Sequence, residues 1–320
     1  MPLLATDLLD WPLDGPVCDD VHAWRAWWRG SGLGREAPAL IALRGGHAAD
    51  RLGWAFAAGY QAALRALVDR PGWPGWAPED LVALCLTEAT GNRPRDLQAS
   101  ACRTPDGGWL LNGHKRWTTL GPACDQLLVV VRDADADADA ATDAAAAAPA
   151  LIALRVPADA PGLRFEPMPP TPFVPEVPHA GLSLAAVHLP EPARLPGDGW
   201  NDVGKPFRTH EDTLVGVAAL AHLLREARRL GWPHDWRQRA LATLQALLVA
   251  ADAPASEPRT HVLLAGALDG AQALYAECPA LWARTPDDPA AARGPRDLGL
   301  MQVARAARVQ RAERAWQRLA

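Results

Sequence analysis

The chain is poor in lysine, in cysteine and in long apolar runs. Lys115 and Lys205 are the only two lysines among its 320 residues, so nearly all of the 32 basic residues are arginine. No basic stripe is interleaved with aromatic residues and the net charge is −5, which argues against a nucleic-acid partner. No apolar run approaches a membrane span, and the amino terminus lacks the positive region of a signal peptide. With 49 % hydrophobic and 22 % charged residues, the sequence predicts a globular protein with no nucleic-acid and no membrane partner.

The cysteines and histidines argue against two further kinds of site. The five cysteines are odd in number and scattered without a CxxC spacing, so neither a disulfide framework nor a zinc site is indicated. The nine histidines show no ligand spacing, and we expect no metal. No G-x-S-x-G or Cys–His signature supports a hydrolase. Unpaired cysteines are typical of a reducing compartment, and we expect a cytoplasmic protein.

Hydrophobic periodicity divides the chain into three regions. Tryptophan-rich helical pieces predict a short N-terminal helical domain over residues 1–80, closed by the turn-forming segment Pro71–Pro78. Residues 81–200 contain short β-type runs bounded by Pro, Gly or Asp, which predict an antiparallel β-barrel or sandwich. Residues 201–320 contain four amphipathic stretches, which predict an antiparallel four-helix bundle. The predicted fold class is therefore α+β and multidomain.

Two details of this organisation carry separate expectations. Residues 133–149 alternate Asp with Ala and lack large apolar side chains, so we expect a disordered acidic insert at a hairpin tip. A calcium repeat is not predicted, because the glycines of tight ligand turns are missing. In the last helical stretch a crowd of arginines lies opposite an apolar face that includes Trp316, and we expect those arginines to face solvent.

Two segments at the start of the β region carry the residues that suggest chemistry. The first, Leu84–Arg93, reads as a strand followed by a loop of small residues, and the second, Trp109–Thr119, reads as another strand. In order and spacing the pair resembles the flavin-contacting segment of acyl-CoA dehydrogenases, where T-E-P-x-A-G-S-D precedes L-x-G-x-K-x-W-I-T-N. The order of helical, β and bundle domains is similar as well, and the chain is identified by resemblance as a divergent, shortened relative. The shared positions are Thr87, Glu88, Leu111, Gly113, Lys115, Trp117 and Thr119.

The resemblance implies an FAD cofactor held between the β domain and the bundle. Thr87 would hydrogen-bond the pyrimidine side of the flavin, with Leu86 beside it, while Trp117 would pack against the rings and Thr119 would offer its hydroxyl toward N5. Each residue also has an ordinary interpretation, since Thr is common in strands and Trp on a half-buried sheet is more often part of a core. The R-x-x-F-G and Q-x-x-G-G stretches through which a neighbouring subunit holds FAD are not found. The expected substrate-binding residues, for a phosphate or a CoA group, are Asn92 and Arg93.

The implied reaction, α,β-dehydrogenation of an acyl-CoA thioester, requires a carboxylate base. Where the usual Glu stands on a late helix, this chain has Arg305, and a guanidinium cannot act as a base. In the isovaleryl and long-chain types the base lies on the first bundle helix, and Glu211 occupies about that position. A second interpretation stays open: Thr209 and Asp212 have the spacing of a capping box, which would leave Glu211 as an exposed acid in the first helical turn.

These patterns leave three functions open. The first is an FAD-dependent oxidoreductase acting on CH–CH groups of an acyl-CoA in fatty acid metabolism, with hydride transfer to flavin N5. The alternative is a catalytically inactive, acyl-CoA dehydrogenase-like binding or subunit-interaction protein, and the third is an FAD-using oxidase or monooxygenase on the same scaffold. The implied partners are an acyl-CoA or related small molecule, an electron-transfer acceptor and further copies of the chain in a homo-oligomer.

Overall fold

The protein combines helices with one β-sheet. The computed structural model describes residues 4–68, 70, 72–73, 75–140 and 149–320, and within them it contains nine α-helices and a seven-stranded sheet. The mixed fold class predicted from the sequence is confirmed. None of the described helices is long and apolar enough to cross a membrane. The helices are α1 Val21–Ser31, α2 Pro38–Ala48, α3 Leu52–Val68, α4 Ala134–Ala140, α5 Lys205–Arg229, α6 His234–Ala251, α7 Pro258–Trp282, α8 Pro289–Asp297 and α9 Arg305–Leu319.

The chain forms two compact units. Unit 1 contains the N-terminal and the C-terminal helices, and unit 2 contains the sheet. The two helical regions, for which the sequence predicts separate domains over 1–80 and 201–320, therefore belong to one unit. Unit 1 consists of Met1–Ala66, Thr171–Val177 and Arg208–Ala320, and unit 2 of Leu67–Pro170 and Pro178–Phe207.

In unit 1 the N-terminal helices pack directly on α5. A Cβ added to Gly46 of α2 would lie 2.2 Å from the carbonyl oxygen of Ala218, and one added to Gly59 of α3 would lie 2.7 Å from the Cα of Val215. Both helices thus approach the backbone of α5 at positions where only glycine leaves room. Stacked indoles of Trp24 and Trp54, 5.7 Å apart, join α1 to α3 in the same core.

The C-terminal helices agree with the predicted bundle. α5, α6, α7 and α9 correspond to the four amphipathic stretches, and α8 is an additional short helix between α7 and α9. Proline sits in the first turn of α7 and of α8, where its missing N–H costs no intrahelical bond. A buried cluster of indoles closes the core between α6 and α7. Its members are Trp232, Trp236 and Trp282.

Unit 2 is built on a sheet of mixed direction. The strand order is β1-β4-β2-β3-β7-β6, with β5 also paired to β4. β4 pairs in parallel with β1 and with β2, whereas the other pairings are antiparallel. The parallel pairs depart from the predicted antiparallel barrel, because β1 is a short, wholly buried apolar run whose pattern does not encode strand direction. The strands are β1 Val82–Cys85, β2 Ser100–Arg103, β3 Trp109–Thr119, β4 Gln126–Asp133, β5 Leu151–Pro157, β6 Leu163–Pro167 and β7 His179–Leu189.

The acidic insert 133–149 differs from its prediction in the part that the structure describes. β4 continues to Asp133 and α4 follows at once, so the expected disorder is wrong for residues 133–140. Alanine is the best helix former, and Asp137 accepts a 2.7 Å bond from Arg132 Nε. Asp135 likewise accepts the Arg103 amide at 2.7 Å. Residues 141–148 lie outside the described residues.

Candidate functional site

The predicted cofactor-binding residues lie on two adjacent backbone segments of unit 2. Leu86 and Thr87 directly follow β1, and Trp117 and Thr119 lie near the end of β3. The amide of Arg116 donates a 2.8 Å hydrogen bond to the carbonyl oxygen of Thr87. The structure therefore brings the first segment against the residue that precedes Trp117. We call this junction the β1–β3 edge and define it by Leu86, Thr87, Trp117 and Thr119.

Trp117 is placed by an irregularity in β3. The register of β3 against β7 shifts between Lys115 and Thr118, and Trp117 inside this bulge has φ +61. A left-handed conformation at a bulky residue costs on the order of 1–3 kcal/mol and persists only where the surroundings enforce it. Its indole is 47 % exposed and meets His179 edge-on at 6.0 Å. The Arg116 guanidinium lies 5.7 Å from the centre of the Trp117 ring. The interpretation of Trp117 as a core residue is therefore wrong, and nearly half of its surface is exposed on unit 2.

The hydroxyl-bearing residues around this bulge differ in exposure. Thr87 is partly exposed, whereas Thr119 is buried and lies opposite His179 in the β3–β7 register. Thr118 is fully buried, with its hydroxyl 3.7 Å from the Cys85 sulfur. The β1–β3 edge thus combines one accessible hydroxyl, one half-exposed indole and buried apolar support.

Beneath the β1–β3 edge lies a buried ion pair to which the sequence assigns no role. Lys115 is 1 % exposed, and its Nζ donates to Glu88 Oε1 at 2.6 Å and to the Leu86 carbonyl at 3.4 Å. Glu88 also accepts the amides of Gln98 at 2.7 Å and of Ala99 at 3.1 Å. Desolvation lowers the pKa of Lys115, and the adjacent Glu88 opposes that shift. The signal that points to this pair is a lysine inside a strand of a chain that otherwise uses arginine.

Asn92 and Arg93, the predicted substrate-binding residues, occupy an exposed turn. Glu88 and Gly91 form an isolated bridge, and the turn then leads toward β2. The Arg93 amide donates to Asp96 Oδ2 at 3.0 Å, which fixes the backbone of the turn and leaves the side chain exposed. A role in holding phosphate or CoA stays a prediction.

Glu211 lies in unit 1, inside α5. The helix begins at Lys205, directly after a π-helical turn whose first amides are capped by Asp198, so Thr209 is not a cap residue. Thr209 is instead buried beside His261, at 3.4 Å. Asp212 accepts bonds from arginines of α9 rather than from the α5 backbone. The capping-box interpretation is wrong, because helical structure starts earlier than the apolar period suggests.

The surroundings of Glu211 favour its neutral form. Burial raises its pKa to about 8, and the neighbouring Asp212 adds to the shift, while Arg208 and Arg308 oppose it. Within the described part of the chain no hydrogen bond to the carboxyl contributes to this balance. A carboxyl that ionises near neutral pH has the proton affinity that a general base needs. Arg305, at the start of α9, is exposed.

Glu211→Gln should make the protein more stable at alkaline pH. The pKa of Glu211 is about 8 in the folded chain against a reference value of 4.5, so rising pH between these values favours the unfolded state, which ionises first. The stability that protonation provides is thus full below pH 4.5 and is lost as pH rises toward 8. Glutamine cannot ionise, and we expect a gain of more than about 1 kcal/mol above the folded pKa. Denaturant unfolding at about pH 5 and about pH 9 measures it.

The exposed Glu313→Gln serves as the control for loss of one acidic side chain in the same unit. If both variants follow the wild-type dependence of unfolding free energy on pH, the carboxyl of Glu211 is not in a desolvated environment.

Comparison with known proteins agrees with this geometry. Residues 83–187 match the family model of the acyl-CoA dehydrogenase middle domain. Butyryl-CoA dehydrogenase from Megasphaera elsdenii is 15 % identical with a TM-score of 0.69, over 93 % of this chain and 90 % of that chain. FkbI, for biosynthesis of a methoxymalonyl extender unit, is 21 % identical with a TM-score of 0.64, over 99 % and 94 %. FMN-bound TdsC from Paenibacillus sp. A11-2 is 16 % identical with a TM-score of 0.71, over 94 % and 92 %.

No curated protein matches the chain by sequence. The family model and the solved structures nevertheless define the class: helices combined with a middle β domain in the acyl-CoA dehydrogenase-like fold. The chain therefore has the fold of these proteins, and its residues 83–187 match the acyl-CoA dehydrogenase middle domain.

Proposed function

We propose that the protein is an FAD-dependent oxidoreductase that binds its flavin at the β1–β3 edge and dehydrogenates an acyl-CoA between its α and β carbons. The observation that carries this proposal is Trp117, a half-exposed indole held at φ +61 beside Thr87. Large aromatic side chains are normally buried, and strained backbone clusters at ligand sites. An exposed indole in a strained bulge is more readily explained by a ligand than by folding.

The residues of the β1–β3 edge fit a flavin. A flat aromatic ring system can stack on the Trp117 indole, and the partly exposed Thr87 hydroxyl can hydrogen-bond to the polar atoms at the edge of that ring system. Leu86 supplies apolar support below. Bound flavin supplies a two-electron acceptor for hydride. The protein must therefore hold an aromatic ring and remove a proton, and it has candidate residues for both tasks.

Glu211 is the proposed base. Its ionised carboxylate would take the α-proton of the acyl thioester, while the β-hydrogen leaves with its electron pair to the flavin, so that a C–C double bond forms. A pKa of about 8 gives the carboxylate more driving force for proton removal than an exposed Glu has. Asn92 and Arg93 are the proposed contacts for a phosphate of the CoA group.

Trp117→Ala tests the flavin-binding part of the proposal. An aromatic pair is worth about 0.5–1.5 kcal/mol beyond the area it buries, so the variant should bind FAD roughly tenfold more weakly. The affinity is measured by quenching of flavin fluorescence, with FAD and FMN titrated separately. Trp316→Ala is the control, because Trp316 on α9 is also an accessible indole, 60 % exposed against 47 % for Trp117. Equal affinities of the Trp117 variant and the control would exclude the β1–β3 edge as the flavin site.

The alternative of a binding or subunit-interaction protein has its own outcome. Such a protein would hold flavin, or none, and an acyl-CoA would not bleach the flavin absorption under anaerobic conditions. Arg305 at the usual position of the base supports this alternative, whereas the raised pKa of Glu211 supports the enzyme. A flavin that reacts with oxygen after reduction would instead favour an oxidase or monooxygenase.

A further inference from the structure

We propose that the buried Glu88–Lys115 ion pair is a positioning device that fixes Trp117 relative to Leu86 and Thr87, and thereby shapes the flavin-binding surface. The inference rests on the proposed function, because it assigns the pair a role in the same site. Neither residue would touch the flavin.

The pair ties together three separate stretches of backbone. Glu88 follows β1, Lys115 belongs to β3, and Glu88 accepts amides from the segment that leads into β2. Lys115 donates a hydrogen bond to the carbonyl oxygen of Leu86, which belongs to the β1–β3 edge. Three backbone groups are thus satisfied by one carboxylate and one ammonium. Their geometry is directional, and an apolar pair of the same volume could not reproduce it.

Burial of a charge pair needs such an explanation. The desolvation of two ions often exceeds their attraction, and well-packed apolar replacements are frequently as stable or more stable. The pair is therefore weak evidence for a contribution to stability. The pair orients the Leu86 carbonyl and the Gln98 and Ala99 amides, and apolar side chains could not make these hydrogen bonds.

The pair acts on the position of Trp117 through two buried residues that flank it in β3. Lys115 on one side and Thr118 on the other are both buried, and both contact β1 or the residues that follow it. Between them, the Arg116 amide is fixed on the Thr87 carbonyl. The left-handed residue is thus held by anchors at both ends, which is the condition for strained backbone to persist.

The experiment compares Glu88→Met/Lys115→Met with the two single variants and with Lys205→Met. Lys205 is the other lysine of the chain, is exposed, and provides the matched control. Each single variant leaves one buried charge without its partner and should unfold at lower denaturant, whereas the double variant should lose less stability than the sum of the two single variants. FAD binding by the double variant should nevertheless stay about tenfold to a hundredfold weaker than in the Lys205 variant, because the indole is misplaced.

A second measurement does not need flavin. With 5-fluorotryptophan incorporated and the Trp117 resonance assigned through Trp117→Phe, the double variant should shift that fluorine signal and leave the signals of unit 1 unchanged. Absence of flavin binding in the wild type would sink the proposed function, while a shifted signal would still support the positioning role. A double variant with wild-type affinity and an unshifted Trp117 signal would overturn the inference.

Glu88→Asp keeps the test decisive if the double variant does not fold. It retains the charge and shortens the reach of the carboxylate by one methylene. A positioning role predicts weaker FAD binding together with a shifted Trp117 signal. Unchanged binding and an unshifted signal would show that charge alone matters and would contradict the proposal.

Discussion

Glu211→Gln is expected to abolish reduction of the flavin by an acyl-CoA while leaving the flavin bound. A positioned general base contributes about 10²–10⁴-fold to rate, and an amide of the same shape cannot accept the α-proton. We expect a loss near the upper end of that range, because no second carboxyl is proposed to take its place. Anaerobic stopped-flow bleaching of the flavin absorption gives the rate, and a parallel titration gives the flavin affinity.

The pH profile of the wild type tests the proposed role of Glu211 as the base independently. Only the ionised form of a carboxyl base removes a proton, and the pKa of Glu211 is about 8, so the proposed role predicts that kcat/KM rises with pH until it levels off above that value. The substitution Asp212→Asn, at the residue next to Glu211, provides a matched comparison. It removes a charge that raises the pKa of Glu211, so its profile should shift to lower pH with activity retained. Reduction that survives in the Glu211 variant would mean that another residue is the base.

Much of the fold follows from local pattern. β3 has the predicted bounds Trp109–Thr119, because it alternates and is closed by glycine at its start and by Leu120-Gly121 at its end. The parallel pairing of β1 and β2 with β4 could not be predicted, since it joins segments far apart in sequence. That the N-terminal and C-terminal helices form one unit could not be predicted either, because the sequence does not show which helix a small residue such as Gly46 contacts.

The candidate site was likewise predictable from the sequence only in part. The resemblance implied a common neighbourhood for Thr87 and Trp117, and the structure brings their segments together through the Arg116 amide. The partners of Asp212 were not predictable. Two arginines of α9, expected to face solvent, pair with it at 3.3 and 2.6 Å across nearly one hundred residues of sequence. Trp316, expected on an apolar face, is exposed. Periodicity identifies a helix, but the neighbours that cover each face are set by tertiary packing.

Gly46→Ala should destabilise the protein by about 3 kcal/mol or more, because the added methyl has nowhere to move. The Cβ would lie 2.2 Å from the Ala218 carbonyl oxygen and 2.5 Å from the Ala218 Cα, and both atoms belong to the backbone of a long helix. α2 and α5 would have to separate, and α5 is the helix that carries Glu211. Denaturant midpoints, compared at constant m value, measure the effect.

Gly30→Ala provides the control, since a Cβ there meets no atom within 4 Å and Gly30 lies in α1. That substitution should be neutral or stabilising by up to about 1 kcal/mol, because alanine restricts the unfolded chain and favours helix. Wild-type stability of the Gly46 variant would mean that α2 and α5 do not meet backbone to backbone. A joint loss in both variants would point instead to a general intolerance of substitution in the N-terminal helices.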